Sequence, residues 1–468
     1  MNTTELQSLK ARLHGRLILP ADPDYDTARR VYNGMIDKRP AAIAQCADTA
    51  DVVAVLAFAR ESETLLAVRG GGHHGAGLGV CDDGVVLDLS PMREVRVDDA
   101  SREVRVAGGA TWGEVDRATQ PFGLAVPSGI ISTTGVAGLT LGGGHGYLTR
   151  KYGLTIDNLI GAEVVLADGR VVTASASEHD DLFWALRGGG GNFGVVTSFR
   201  FRAQPVGEVY AGPTLWPVER AAEVLRWYDD FMRQAPDDVY GFFAFLNVPP
   251  APFFPAELHG RTMCAVIWCV TGPIAAAERA LEPARRLGPP AFTMLGAMPF
   301  GALQTMHDAL MPPGLQWYWK GDFVRELNEQ AIAEHVRYGS ALPTALSTMH
   351  LYPIDGAANR VDRHATAFSF RDARWSMVMA GIDPDPAKAP QITRWAKDYW
   401  SALHPHSMGA AYVNFMMEEG TPRVRATYRD NFDRLAAIKA KYDPANLFRV
   451  NQNIEPLTGG SGSRSAAP

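Results

Sequence analysis

Apolar and polar residues alternate over short stretches of the first two hundred residues, and this pattern predicts several β-strands. Two pairs of strands are separated only by short turns, as in β-hairpins: 94–98 with 103–107, and 162–166 with 170–173 around Asp168-Gly169. The predicted strands are 65–68, 85–89, 94–98, 103–107, 162–166, 170–173 and 195–201.

Helix start signals stand between these strands. Asp48 can cap a helix because the apolar-rich run 52–59 follows it. Thr111 with Glu114 three residues later forms a capping-box pattern that opens a helix toward Gln120. A short helix is also predicted over 180–186, ending at four consecutive glycines.

The pattern changes near residue 207. Helical stretches at 219–234 and 275–286 alternate with apolar strands at 263–270 and 375–382, which predicts a second α+β domain over 207–410. Apolar residues return to helical spacing over 428–442, before Pro444.

Composition restricts the class of protein. The chain has 468 residues, 46% hydrophobic and 21% charged, with a net charge of −6, which argues against nucleic acid or an anionic membrane as partner. No apolar run of 18 residues predicts a membrane span, and the N-terminus lacks the apolar core of a signal peptide. Four cysteines without a CxxC pair favour a reduced, cytoplasmic setting. His73-His74 is not a bidentate helical spacing, and His350, His404 and His406 join no obvious carboxylate cluster, so no metal site is expected.

Two glycine-rich tracks carry the candidate chemistry. Gly70-Gly71-Gly72-His73 follows a predicted strand, and Gly135 to Gly146 forms the second track. Successive glycine N–H groups make a concave nest that suits a pyrophosphate. A Rossmann fingerprint is disfavoured, because a Gly-x-Gly-x-x-Gly must open a helix and here a further strand follows.

These tracks, with Lys151-Tyr-Gly-Leu-Thr-Ile-Asp-Asn158 and Tyr442-Asp-Pro-Ala-Asn446, resemble the berberine-bridge-enzyme-like flavoprotein oxidases. The resemblance implies an α+β fold: a bipartite FAD-binding domain of the PCMH (vanillyl-alcohol-oxidase) type plus an α+β substrate domain with an antiparallel sheet. The expected divisions are 1–37 (N-terminal helical segment packing on the FAD domain), 38–206 (FAD-binding domain), 207–410 (substrate-binding domain), 411–456 (C-terminal segment returning to the FAD domain) and 457–468 (disordered tail).

The resemblance also implies the cofactor, FAD, bound covalently. Its 8α carbon would bond to His73, with the adjacent His74 as the competing candidate, while a histidine merely hydrogen-bonded in a turn is the alternative. Many relatives make a second flavin bond through a cysteine at the position of Ile131, so a single, histidyl link is expected here. The expected cofactor-binding residues are Arg69, Gly70, Gly71, Gly72, His73, His74, Gly77, Pro127, Ser128, Gly129, Thr133, Thr134, Gly135, Gly138, Gly142, Gly143, Gly146, Leu154, Asn158, Val196 and Asn451.

A general base must take the proton from the substrate as hydride leaves. The resemblance places Tyr412 over the flavin, with a core tyrosine as the alternative, and His145 could share the role or be a structural hydrogen-bonding residue. Thr134 falls where relatives vary a residue that controls oxygen access, and its small side chain favours oxygen as acceptor.

The substrate residues are expected among aromatic and polar side chains of the second domain and the C-terminal segment, although aromatic residues also pack sheets. The candidates are Tyr318, Lys320, Tyr352 and Asn414.

The implied function is an FAD-dependent oxidase that takes a hydride from a C–O or C–N bond of a small molecule and reduces O2 to H2O2. Three alternatives are a dehydrogenase of the same fold with another acceptor, a flavin-binding protein without turnover, and a NAD-binding enzyme.

Overall fold

A small mixed sheet lies near the N-terminus of the computed structural model, which describes residues 3–457. Its strands are β1 (Arg16–Ile18), β2 (Ala42–Gln45), β3 (Leu66–Arg69) and β4 (Val85–Asp88). The order is β1-β2-β4-β3, with β2, β4 and β3 parallel and β1 antiparallel to β2. The first glycine track leaves the C-terminal end of β3, an edge where α/β proteins commonly bind ligands.

A five-stranded antiparallel sheet follows, in the order β5-β6-β10-β8-β9, and β7 pairs separately with β11. The strands are β5 (Val95–Asp98), β6 (Glu103–Ala107), β7 (Leu124–Ala125), β8 (Leu159–Val165), β9 (Val171–Ser175), β10 (Val195–Arg202) and β11 (Gln204–Pro205). Both predicted hairpins are confirmed, since β5 pairs with β6 and β8 with β9.

The remaining strands form one eight-stranded antiparallel sheet, in the order β15-β12-β14-β13-β18-β19-β17 with β16 also on β12. They are β12 (Glu208–Pro217), β13 (Val239–Asn247), β14 (Thr262–Thr271), β15 (Phe292–Thr293), β16 (Gly296–Pro299), β17 (Gln316–Val324), β18 (Thr348–Pro353) and β19 (Trp375–Asp383). The antiparallel sheet and the α+β class agree with the predicted fold.

Helices connect and cover the sheets. They are α1 (Thr3–Arg12), α2 (Tyr25–Ala28), α3 (Thr49–Glu61), α4 (Trp112–Thr119), α5 (Val136–Gly142), α6 (Thr149–Tyr152), α7 (Asp180–Leu186), α8 (Ala221–Gln234), α9 (Ile274–Ala280), α10 (Glu282–Arg286), α11 (Phe300–Gln304), α12 (Glu329–Gly339), α13 (Ala357–Arg360), α14 (Ala389–Leu403), α15 (Thr421–Tyr428) and α16 (Phe432–Tyr442). Helices α8, α12 and α14 bury one face of the large sheet, which leaves its other face for the cavity described below. Within residues 3–457, none of the helices is long and apolar enough to cross a membrane.

Local signals for helix starts are confirmed, but two long helices are not. The Asp48 carboxylate accepts from the Asp51 amide at the start of α3, and the Thr111–Glu114 capping box opens α4. The predicted helix over 275–286 is split into α9 and α10, where Pro283 can only occupy a first turn. The predicted helix over 428–442 is broken by Arg429, whose φ is +45°.

Two further predictions concern the ends of the chain. Residues 1–37 contain strand β1 in addition to helix α1. The predicted tail over 457–468 lies outside the described residues, except for Leu457, which is exposed.

The two glycine tracks cross at backbone contact. A Cβ on Gly71 would lie 2.5 Å from the Cα of Gly135, and a Cβ on Gly135 would lie 2.6 Å from the Cα of Gly71. Backbone bonds hold the second track from the other side, because the Trp112 amide donates to Thr134 and the Val136 amide donates to Ala110. Only glycine allows this approach of two chains.

A buried ion pair fastens the C-terminal segment to the loop that contains Asn192. The ammonium of Lys439 is fully buried, 2.5 Å from the Asp443 carboxylate, and donates to the carbonyl oxygens of Asn192 and Phe448 at 2.8 and 3.0 Å. Asp443 also accepts from the Leu447 and Phe448 amides. The Asp of the Tyr442–Asn446 motif therefore organises the loop that follows α16.

We expect Gly71→Ala to lower the thermal midpoint strongly, since a methyl group would force the two tracks apart at a cost of about 1–3 kcal/mol or more. Gly296→Ala is the control, because a Cβ there meets nothing within 4 Å. Circular dichroism melts check this, and equal midpoints for the two variants would contradict the crossing.

Lys439→Met should destabilise the protein by about 3–5 kcal/mol, because it leaves Asp443 buried without its cation. The matched control is Lys441→Met two residues away, an exposed lysine paired with Asp181, for which about 0–1 kcal/mol is expected. Urea unfolding of both variants measures the difference. If Lys439→Met lowers the free energy of unfolding no more than Lys441→Met does, the Lys439–Asp443 pair does not stabilise the protein as described.

Candidate active site

A cavity of about 940 Å³ lies between the glycine tracks and the free face of the large sheet. Ligand sites span about 300–1,000 Å³, so this cavity is at the upper end and has room for a large cofactor. The predicted site residues that line it are Arg69, Gly70, Gly71, Gly72, His73, His74, Gly129, Thr134, Gly135, Gly138, His145, Val196, Tyr352, Tyr412, Asn414 and Asn451. The structure thus gathers segments that are more than 300 residues apart in the chain.

The other predicted cofactor residues do not line the cavity. They are Gly77, Pro127, Ser128, Thr133, Gly142, Gly143, Gly146, Leu154 and Asn158. Several of them support the wall: a Cβ at Gly142 would lie 2.5 Å from the Asn414 amide nitrogen, and Thr133 contacts His73. Asn158 donates to the carbonyl oxygens of Tyr152 and Leu154, which closes a turn.

His73 stands at the crossing of the two tracks with its ring facing the cavity. Its Nε2 lies 3.0 Å from the Thr133 hydroxyl, and its Nδ1 lies 3.5 Å from the Thr134 hydroxyl. Tyr32 stacks on the imidazole, with ring centroids 3.8 Å apart. Burial lowers the pKa of His73 to about 3, so the ring is neutral and nucleophilic at physiological pH.

The residues flanking His73 have structural bonds of their own. The Arg69 guanidinium is buried in an ion pair with Asp88 at 2.8 Å. His74 accepts at Nδ1 from the Ala76 amide, and its pKa is lowered to about 4, mainly by burial and further by the charge of Lys38. Of the two adjacent histidines, His74 is therefore the one that closes a local turn.

Tyr412 projects from the C-terminal segment toward the second glycine track. Its phenol oxygen accepts hydrogen bonds from the Gly144 amide at 2.9 Å and from the Asn414 side chain at 2.7 Å. Burial raises the pKa of Tyr412 well above its usual range, and the two N–H donors oppose that rise. The two donors stabilise negative charge on the phenol oxygen, whereas burial favours the neutral phenol.

His145 lies against Tyr412, with ring centroids 4.7 Å apart, and also contacts Tyr352 and Phe415. In the described part of the chain neither ring nitrogen has a hydrogen-bond partner, so the structure provides no structural hydrogen bond of the kind considered from the sequence. Burial lowers its pKa to about 3, which keeps the ring neutral.

Tyr318 and Lys320 are on the wrong face of β17 to contact a ligand in this cavity. Side chains alternate along a strand, and it is Trp317 and Trp319 that line the cavity. Lys320 instead pairs with Glu419 at 2.6 Å and lies over the ring of Trp400. The prediction that both residues bind substrate is corrected accordingly.

Sequence reasoning missed three parts of the wall. Tyr32 stacks on His73, and residues 190–192 line the cavity beside the C-terminal segment. His307 lines it as well, hydrogen-bonded to Tyr147 at 3.2 Å. The four glycines 188–191 were the available signal for the loop, whereas His307 follows a short helix with no motif around it.

The residues present fit an FAD. Gly138 and Gly191 line the cavity, and a Cβ on either would point into open space, as expected of backbone that a ligand approaches closely. The buried Asn451 side-chain oxygen has no partner among the described residues. The four cysteines are buried and none lines the cavity, so the wall offers His73 but no thiol for covalent attachment.

One group with metal-ligand chemistry occurs elsewhere in residues 3–457, formed by His14, Asp48 and Asp51. Its carboxylates already cap α3 and accept from the His14, Gly15 and Ala47 amides. None of the three residues lines the cavity, and the two carboxylates stabilise the start of α3.

Family models match two segments of the chain. Residues 40–175 match the model described as an FAD binding domain, and residues 411–455 match the one described as berberine and berberine like. These segments contain both glycine tracks, His73 and Tyr412.

Curated relatives and solved structures align over nearly the whole chain. An FAD-linked oxidoreductase of Bacillus subtilis, YgaK, is 33% identical over 96% of this chain and 98% of its own. The (R)-6-hydroxynicotine oxidase of Paenarthrobacter nicotinovorans is 28% identical over 95% and 97%. A crystal structure of 6-hydroxy-D-nicotine oxidase from Arthrobacter nicotinovorans superposes with a TM-score of 0.85 and 27% identity, covering 95% and 98%. The chain therefore belongs to the berberine-bridge-enzyme-like family of FAD-linked oxidoreductases.

Proposed function

We propose that this oxidoreductase binds FAD covalently through His73, oxidises a C–O or C–N bond of a small organic molecule, and uses O2 as electron acceptor. The observation that carries the proposal is a neutral imidazole fixed at the crossing of two glycine tracks inside a large cavity. Attachment at a single residue is supported by the isoleucine at position 131 and by the lack of a cysteine among the described residues that line the cavity.

Different residues would bind different parts of the cofactor. Backbone N–H groups of the glycine tracks suit the pyrophosphate. Asn451 and the loop 190–192 would bind on the opposite side, held by the Lys439–Asp443 pair. In this arrangement 38–206 and 411–456 form the FAD-binding unit, and 207–410 presents the sheet face that covers it.

FAD, when bound, would supply the two-electron acceptor for the hydride, with O2 as the final acceptor and H2O2 as its product. Tyr412, as the phenolate, would take the proton from the substrate hydroxyl or amine, and the N–H groups of Gly144 and Asn414 would stabilise that phenolate against the burial that favours the neutral phenol. Neutral His145 lies next to that phenol and would share the proton. Thr134, beside His73, leaves more room for oxygen than a leucine would. The free thiols of all four cysteines support a cytoplasmic setting.

The first test is acid precipitation of the purified protein with intact-mass analysis. Wild type and His74→Ala should retain yellow colour in the pellet and carry the mass of one FAD, whereas His73→Ala should lose both. Colour that washes out of wild type, or that survives in His73→Ala, would overturn covalent attachment at His73.

A second test addresses the proton acceptor. Tyr412→Phe should slow anaerobic flavin bleaching by about 10²–10⁴-fold, measured by stopped flow with the most active of a panel of secondary alcohols and amines. Tyr240→Phe is the control, since the Tyr240 hydroxyl is buried without a partner among the described residues and lies outside the cavity wall. Equal rates for the two variants would remove Tyr412 from the mechanism.

Mixing the reduced enzyme with oxygen in the same instrument distinguishes an oxidase from a dehydrogenase. Reoxidation as fast as turnover identifies an oxidase, and slower reoxidation identifies a dehydrogenase that uses another acceptor.

A further inference from the structure

The wall of the cavity carries almost no charge. Among the described residues that line it, Arg69 alone has a formally charged side chain, and that guanidinium is paired with Asp88. The backbone N–H groups of the glycine tracks suit the FAD pyrophosphate, but a carboxylate or ammonium group buried against the sheet face would find no free opposite charge. Burying such an unpaired ion is strongly unfavourable. Charged substrates are therefore poorly matched to this site.

The sheet face opposite the glycine tracks is largely apolar. Phe242 lies at its centre, with Leu215, Ile267 and Val378 also on the wall. The rim of the cavity is apolar as well. Phe253 and Met294 line the cavity, and their side chains are 54% and 37% exposed, respectively. Exposed apolar side chains at a pocket mouth favour entry of an apolar molecule. An oligosaccharide, with a hydroxyl on most carbons, would leave its oxygens unpaired against this face.

Two histidines near Phe242 have ring nitrogens that can hydrogen-bond a ligand. His350 lies 4.9 Å from the Phe242 ring and shares a 2.5 Å hydrogen bond between its Nδ1 and the Tyr352 hydroxyl. His307 lies 6.1 Å from the same ring and bonds through Nε2 to Tyr147. Each pair uses one ring nitrogen and leaves the other for a ligand.

Both histidines are neutral. Burial lowers the pKa of His350 to about 3 and that of His307 to about 4, so neither offers a positive charge to an anion at physiological pH. A neutral imidazole presents one donor or acceptor to a hydroxyl or carbonyl oxygen. The tyrosine partners fix the orientation of each ring.

We infer that the substrate is an uncharged, flat, largely apolar molecule that lies against Phe242 with its few hydroxyl or carbonyl oxygens bonded to His307 and His350. This substrate class rests on the proposed function, which supplies the oxidised C–O or C–N bond. It excludes carboxylates, ammonium ions and oligosaccharides as good substrates.

The test is calorimetric titration of the purified flavoprotein at pH 7 with three probes of the same shape: 2-naphthylmethanol, 2-naphthylmethylamine and 2-naphthoate. The neutral alcohol should bind at least about tenfold more tightly than either ion. The inference would be overturned if either ion bound as tightly as the alcohol or more tightly. It would also be overturned if none of the three probes bound detectably. Calorimetry detects binding of a probe whether or not the probe is oxidised. Failure of the proposed oxidation chemistry would therefore not be mistaken for failure of this proposal.

Variants then test the two histidines. His350→Leu should weaken binding of the alcohol about tenfold through loss of one hydrogen bond and its fixed geometry, and His350→Gln should restore part of it. His364→Leu is the control, since that ring bonds to Asn431 away from the cavity. Unchanged alcohol binding by a folded His350→Leu protein would remove His350 from substrate recognition.

Discussion

The approach of two backbones at Gly71 and Gly135 is the constraint on which the site depends. Each glycine occupies the space where the other would need a side chain, so the two tracks cross at one point. The crossing brings the end of a parallel strand against a loop anchored on the second sheet. His73 follows two residues after the contact, and its position in the cavity is a consequence of that geometry rather than of its own hydrogen bonds.

The remaining walls come from distant parts of the chain. The C-terminal segment is held by Lys439 and Asp443, a pair that is stable in the interior because the ammonium also donates to two carbonyl oxygens and the carboxylate also accepts from two backbone amides. This segment brings Tyr412 and Asn414 to the second track, while the large sheet presents a face without charged side chains. One side of the cavity therefore offers backbone N–H groups and a nucleophile, and the other offers apolar surface.

Local sequence signals predicted much of this arrangement. Capping residues at Asp48 and Thr111, the hairpin turns and the glycine tracks act within a few residues, so they could be interpreted without the fold. The break at Arg429 could not be predicted, because apolar spacing continues across it and the left-handed conformation is visible only in the structure.

Side-chain direction was the harder part of the site. Trp317 to Lys320 lies in β17, but which alternate residues face the cavity depends on which sheet face the helices cover. His307 had no motif and became visible only through its contact with Tyr147. Pairings of this kind join elements that are more than a hundred residues apart, and local patterns carry no information about them.

A crystal structure of the protein purified with its flavin tests the central claim most directly. The account predicts continuous density from an imidazole nitrogen of His73 to the 8α carbon of the cofactor, with Gly71 and Gly135 still in contact beside it. An FAD bound without a bond to His73, or one that lies outside the cavity between the glycine tracks and the large sheet, would contradict the account.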